Sequence, residues 1–198
     1  MPTEIEAKFL DINHDDVREK LKKLGAVLEH PMRLMRRTMF DFPDKRFKAA
    51  HKRLRIRDEE HQLTVTFKQR GKTDYAEELE TTIGSYKNME QILNAVGLDS
   101  FSYQESKRET WKYKNVEVVL DQWPWLNDYI EIEGPDEQSI KEAAQELGFD
   151  WDNAKFGSVD TAYRIQYPGM KRSESIGEVP EVRFDLPLPE YLKKRMKK

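Results

Sequence analysis

Polar and apolar positions alternate with a period of two through much of this chain. The first stretch sets the pattern: in Glu4-Ile5-Glu6-Ala7-Lys8-Phe9, a strand over 3–10 puts Glu4, Glu6 and Lys8 on one face and Ile5, Ala7 and Phe9 on the other. Arg53, Arg55 and Arg57 oppose Leu54 and Ile56 over 52–58, and Thr64, Thr66, Lys68 and Arg70 oppose Leu63, Val65 and Phe67 over 62–70. His61 and its acidic neighbours fall between these runs, which predicts a hairpin. A turn at 71–74 leads to a strand over 75–83 with Glu78, Glu80 and Thr82 on one face. Strands are also predicted over 101–113, 116–122 and 129–133, and an extended segment over 36–42.

Helical spacing replaces alternation in four places. Asn13 or Asp15 caps a helix carrying Val17, Leu21 and Leu24, which stops at Gly25. Ser85 caps one with Tyr86, Met89, Leu93 and Val96, ending at Gly97. A third runs from Asp136 or Glu137 through Ile140, Ala143, Ala144 and Leu147 to Gly148, and a short helix covers 159–166. A weak repeat follows: the pairs Glu4/Glu6, Glu78/Glu80 and Glu131/Glu133 each precede such a helix, a pattern that unrelated strand–helix units also share.

With 198 residues, the chain suits one well-cored domain, placed at 1–168, and an extended or disordered tail over 169–198. Charged residues make up 36% and the net charge is only −3, which argues against a general nucleic-acid binder. No window approaches the roughly 18 apolar residues of a membrane span, and no export leader opens the sequence, so a cytoplasmic protein is expected. Cysteine is absent, which excludes disulfides and thiolate metal sites. The histidines (14, 30, 51, 61) show no paired spacing, so any metal is expected on oxygen ligands, as a hard cation.

About eight antiparallel strands can close into a barrel. The helices claim the apolar faces, which leaves the charged faces to solvent or to a lumen. A charged lumen implies a highly charged ligand, because buried charges are costly unless paired or bound to ions. Candidate inward cations are Lys8, Arg53, Arg55, Arg57, Lys68, Arg70 and Arg108; candidate inward acids are Glu4, Glu6, Glu78, Glu80, Asp121, Glu131 and Glu133. Arginine suits phosphate oxygens, and clustered carboxylates suit Mg2+ or Mn2+, so a polyphosphate held with metal ions fits the set. A salt-bridged sheet facing water is the competing reading of the same alternation.

Glu4-Ile5-Glu6-Ala7-Lys8 resembles the ExExK signature of the CYTH family, the triphosphate tunnel metalloenzymes. In the family's order follow Leu54-Arg55-Ile56-Arg57, Thr66-Phe67-Lys68, Glu78-Leu79-Glu80, Arg108 with Trp111, Leu120-Asp121 and Glu131-Ile132-Glu133-Gly134, so the resemblance covers about residues 3–165. It implies an α+β fold, an eight-stranded antiparallel β-barrel tunnel with helices packed outside, acting on a small-molecule triphosphate with one or two divalent cations. By resemblance, Lys8, Arg55, Arg57, Lys68 and Arg108 hold phosphates; Glu4, Glu6, Asp121, Glu131 and Glu133 hold metal or orient water. Glu78 and Glu80 order arginines or serve a second metal, and Glu6, Lys8, Glu78 and Glu80 form the catalytic set.

The sequence also departs from that pattern. Ser106 stands where the family often has lysine, with Lys107 turned to the other face. Arg37-Thr38-Met39-Phe40-Asp41 lacks the Asp/Tyr pattern common in the cyclase branch, and only Met1-Pro2-Thr3 stands where cyclases tend to carry a His-Phe pair. Trp123 and Trp125 could stack on a base or a thiazole-pyrimidine ring, or simply pack. The expected activity is hydrolysis of inorganic, nucleoside or thiamine triphosphate; the alternatives are a class IV adenylate cyclase and a non-catalytic polyphosphate binder. No nucleic-acid or membrane partner is expected, and a monomer or homodimer is.

Overall fold

The computed structural model describes residues 5–70, 76–171 and 174–195; Glu4 and the turn at 71–74 lie outside them, and of Arg70 only the backbone is described. Its strands are β1 (Ile5–Leu10), β2 (Val27–Asp41), β3 (Lys52–Asp58), β4 (Leu63–Arg70), β5 (Ala76–Thr82), β6 (Asp99–Tyr113), β7 (Val116–Gln122), β8 (Tyr129–Gly134) and β9 (Glu181–Val182). Its helices are α1 (His14–Lys23), α2 (Arg46–Ala49), α3 (Tyr86–Ala95), α4 (Glu137–Glu146), α5 (Val159–Gln166) and α6 (Glu190–Lys193). The class is α+β and the sheet antiparallel, except that β9 runs parallel to β6. Among the described residues the strand order runs from β1 to β5 without a hydrogen-bonded closure between those two strands, which is consistent with the expected tunnel fold.

The chain divides into two compact units; β2 and β6, neighbours in the strand order, each contribute residues to both. The first unit holds Leu34–Glu105 and Gly177–Arg183. Its strands follow the order β2-β3-β4-β5, and the apolar side carries Phe40, Ile56, Leu93 and Leu98, with α3 packed there. Ser85 caps α3 by accepting from the backbone N–H of Asn88.

The second unit holds Ile5–Arg33, Ser106–Ile176 and Phe184–Lys198. Its strands run β1-β8-β7-β6, and α1 and α4 cover their apolar face. That core contains Ala7 and Phe9 of β1, Val17 and Leu21 of α1, Val118 and Leu120 of β7, Ile130 and Ile132 of β8, and Ile140 and Leu147 of α4. Asn13 caps α1 and Asp136 caps α4. Gly134 joins β8 to α4 where a Cβ would lie 3.0 Å from Val116 Cγ1 and 3.2 Å from Ile140 Cγ1, so any side chain there would press on both and push them apart by a few tenths of an ångström.

Three short elements go beyond the pattern read from sequence. Asp41 holds α2 from a distance: its carboxylate accepts from the N–H groups of Phe42 (2.7 Å), Phe47 (3.0 Å) and Lys48 (3.0 Å). The segment after Pro168, expected as a tail, carries β9 and α6 and buries Ile176, Val182 and Leu192. β9 pairs with β6 at Tyr103 and Gln104, short of the stretch Lys107–Tyr113 that pairs with β7.

Candidate active site

Strand register creates the charged clusters. In the second unit Lys8 is the Cα partner of Glu131, and Glu6 of Glu133. Partners in an antiparallel pair project to the same face, so the apolar run Ile5-Ala7-Phe9 in the core dictates that Glu6 and Lys8 meet the acids of β8. Lys8 Nζ donates to Glu6 Oε1 at 2.6 Å and lies 3.1 Å from Glu131 Oε1. Arg108 and Asp121 are likewise register partners, and the guanidinium grips both carboxylate oxygens, at 2.8 and 2.6 Å. Arg108 also donates to Glu131 Oε2 at 2.9 Å and approaches Glu133 at 3.9 Å. The Tyr129 hydroxyl donates to Asp121 at 3.3 Å, and His14 Nε2 donates to the Tyr129 carbonyl at 2.9 Å, which ties the start of α1 to the start of β8.

This network is not a solvated face. Lys8 and Asp121 are each 1% exposed and Glu131 is 6% exposed. Burial opposes the charge on Lys8, yet Glu131 and Glu6 outweigh it and hold its pKa above the usual lysine range. Burial likewise pushes Glu131 up, but Lys8 and Arg108 overcome it and bring its pKa down to about 2. Arg108 is held still more firmly protonated: burial works against it, and Asp121 and Glu131 prevail.

One oxygen each from Glu6, Glu131 and Glu133 lies within 4.8 Å of the others. Three hard carboxylate donors at that separation fit a divalent cation such as Mg2+ or Mn2+. Asp121, also expected as a metal ligand, stands outside this trio with both oxygens on Arg108.

The first unit has its own charged face. Lys68 opposes Glu78 and Thr66 opposes Glu80 across β4 and β5, and Arg55 opposes Thr66 across β3 and β4. Lys68 Nζ contacts Glu78 Oε2 directly, Arg55 lies 3.7 Å from Glu78 and 4.0 Å from Glu80, and the Thr66 hydroxyl donates to Glu80 at 2.5 Å. Arg57 donates to Glu59 at 2.9 Å. The structure thus groups Arg55, Lys68, Glu78 and Glu80 in one cluster, with Arg57 beside it.

Arg33, in the second unit, also belongs with the charged faces although the sequence reading passed over it. It donates to the Arg108 carbonyl and to Thr110 Oγ1, each at 3.3 Å. Lys107 does turn away from Arg108: it is exposed, with its ammonium 5.0 Å from the Phe184 ring centre. Trp123 is buried, and the Trp125 indole N–H donates to the Leu186 carbonyl at 2.9 Å, which is the packing role.

The CYTH domain family matches residues 2–161. The chain belongs to the CYTH family. CYTH proteins are metal-dependent enzymes, and the acidic trio agrees with that. A Methanocaldococcus jannaschii protein named "Putative adenylate cyclase MJ0240" is 30% identical over 135 residues, which cover 66% of this chain and 75% of that protein. Among solved structures, one described as a "putative adenylate cyclase" from Vibrio parahaemolyticus has a TM-score of 0.73 at 16% identity, covering 81% of this chain and 97% of its own. The PH1012 protein of Pyrococcus horikoshii has a TM-score of 0.63 at 23% identity, covering 77% and 94%. A Hippeastrum protein described as a "putative adenylyl cyclase" with a dominant triphosphatase activity has a TM-score of 0.57 at 13% identity, covering 90% and 97%. At these identities the structures show that the CYTH fold is shared.

Proposed function

We propose that this CYTH protein is a metal-dependent triphosphatase acting on a small-molecule triphosphate. The observation that carries the reading is the second unit's network: three converging carboxylates, Glu6, Glu131 and Glu133, interleaved with Lys8 and Arg108. Acids alone would describe a cation site, and bases alone an anion site. Interleaved, they suit a cation and a phosphate chain bound together.

In this reading Lys8 and Arg108 turn from their carboxylates toward phosphate oxygens; within the first unit, Arg55, Arg57 and Lys68 are a second set of cations suited to phosphate. A divalent cation on Glu6, Glu131 and Glu133 would neutralise charge on the phosphoryl oxygens. Glu6, the most exposed of that trio, orients the attacking water and receives its proton. Water oxygen bonds to the terminal phosphorus as the bridging P–O bond breaks, and the shortened phosphate chain leaves. Glu78 and Glu80 hold Arg55 and Lys68 in place.

A second reading, adenylate cyclase, is favoured by the 30% identical relative of that name. There the ribose 3′-hydroxyl of ATP attacks the α-phosphorus and pyrophosphate leaves. The test is to incubate the protein with Mg2+ or Mn2+ and, separately, tripolyphosphate, ATP and thiamine triphosphate, and to resolve the products. Orthophosphate release supports the triphosphatase and ranks its substrates. Cyclic AMP with pyrophosphate selects the cyclase, and binding without product selects a polyphosphate binder.

A further inference from the structure

His14, the first residue of α1, is 5% exposed, yet among the described residues its Nδ1 has no hydrogen-bond partner. Its other nitrogen is committed. Nε2 lies 2.9 Å from the Tyr129 carbonyl, which can only accept, so Nε2 carries the proton. In the neutral ring Nδ1 then presents its lone pair. A buried polar atom left without a partner costs stability, so this one calls for an account.

Nδ1 faces Asp128 Oδ2, from the loop before β8, at 3.5 Å. That separation is too long for an N–H···O hydrogen bond, whose usual range ends at about 3.2 Å. It does fit two ligands of one tetrahedral ion: donors that each sit about 2.1 Å from zinc lie about 3.4 Å apart. The surroundings match as well. A metal-bound histidine ordinarily donates its second N–H to a carbonyl or carboxylate, and a metal-bound carboxylate is itself hydrogen-bonded. Here Nε2 has the Tyr129 carbonyl, and Asp128 Oδ2 accepts from Gln122 Nε2 at 2.9 Å.

The Asp128 side chain is 37% exposed, beside a cavity that it lines with Asp11, Asn13 and Asn127, so water can reach the remaining coordination positions. Asp15 and Asp16, in the first turn of α1, offset the partial positive charge of the helix N-terminus.

We propose that His14 Nδ1 and Asp128 form a metal site separate from the carboxylate trio, for a borderline divalent ion such as Zn2+, with water completing a four-coordinate shell. The imidazole nitrogen selects such an ion over Mg2+, which the all-oxygen trio suits better. The ion ties the start of α1 to the start of β8, where the Tyr129 hydroxyl donates to Asp121. The inference does not depend on which reaction the protein catalyses.

The experiment is calorimetric titration of Zn2+, with Mg2+ in large excess to occupy the trio, into wild type, His14→Gln, Asp128→Asn and Glu6→Gln. Imidazole nitrogen NMR of the wild type is recorded alongside. Zn2+ is expected to bind wild type and Glu6→Gln alike, and to bind His14→Gln and Asp128→Asn about tenfold more weakly or worse. In the spectra, Zn2+ is expected to move the His14 Nδ1 signal while Nε2 keeps its proton, a signature that a merely structural histidine would not give.

Zn2+ binding within about twofold of wild type in both His14→Gln and Asp128→Asn overturns the site, as does the absence of wild-type binding. Binding lost in Glu6→Gln and kept in Asp128→Asn assigns the ion to the trio and overturns it too. Should His14→Gln not fold, Asp128→Asn, altered at a partly exposed side chain, and the wild-type Nδ1 signal decide: wild-type affinity in that variant or an unmoved signal overturns the proposal.

Discussion

Lys8 and Glu131 face each other across β1 and β8, with the ammonium 3.1 Å from one carboxylate oxygen while Arg108 donates to the other at 2.9 Å. The acid is therefore bracketed by two cations, and Lys8 occupies ground that a divalent cation would contest. Removing Lys8 leaves Glu131 and Glu6 short of a counter-charge. Lys8→Ala is expected to lose about 3 kcal/mol of stability, the scale for breaking a buried pair. Mg2+ or Mn2+ should then raise the thermal midpoint of Lys8→Ala by more than that of wild type, because the metal replaces the missing charge. Thermal denaturation with and without metal checks this, and turnover should be lost in the variant.

The same bracket sets a pH dependence. Glu131 has a folded pKa of about 2, below its ordinary value of 4.5. A depressed folded pKa means the unfolded chain binds more protons in that interval, so stability rises with pH across it. The contribution is complete above about 4.5 and lost as pH falls toward about 2. Urea midpoints in chelator should fall over that window, and Glu131→Gln should flatten the slope.

Arg108 makes a two-pronged contact with Asp121 that lysine cannot copy. Arg108→Lys keeps the charge and loses the fork. It should lower stability by about 1–3 kcal/mol and reduce kcat/KM, and the thermal midpoint together with steady-state kinetics checks both.

Asp41 accepts from the N–H groups of Phe42, Phe47 and Lys48. Asp41→Ala strands these donors at the start of α2 and should cost about 1–3 kcal/mol in urea denaturation. Hydrogen exchange should accelerate first at Phe47 and Lys48. Even exchange across the chain would contradict the local role.

Alternation made most of the fold legible, because period-two faces need no knowledge of partners. The ranges read for β3 and α5 match the structure, and β4, β7 and α4 match to within a residue or two. α2 escaped because it has four residues, starts at Lys45 in the left-handed region (φ 55°) and is capped by Asp41 from several residues back. β9 has two residues and owes its existence to β6, so it has no periodic signature. The first half of β2 read as mixed because Val27, Leu28 and Glu29 are all exposed and Pro31 interrupts the run.

The site was legible where acids and bases sit at i and i+2, as with Glu6 and Lys8. What no single strand reveals is register. That Lys8 meets Glu131, and Arg108 meets Asp121, depends on which residues lie opposite. Glu4, in the ExExK motif, lies outside the described residues.

The most direct measurement is a phosphorus NMR time course of tripolyphosphate, ATP and thiamine triphosphate, each with the purified protein and Mg2+ or Mn2+. The account predicts that the terminal phosphoryl signal of at least one of them is lost as orthophosphate appears, dependent on metal and absent in Glu6→Gln. Cyclic AMP and pyrophosphate from ATP, or unchanged spectra of all three, would contradict it.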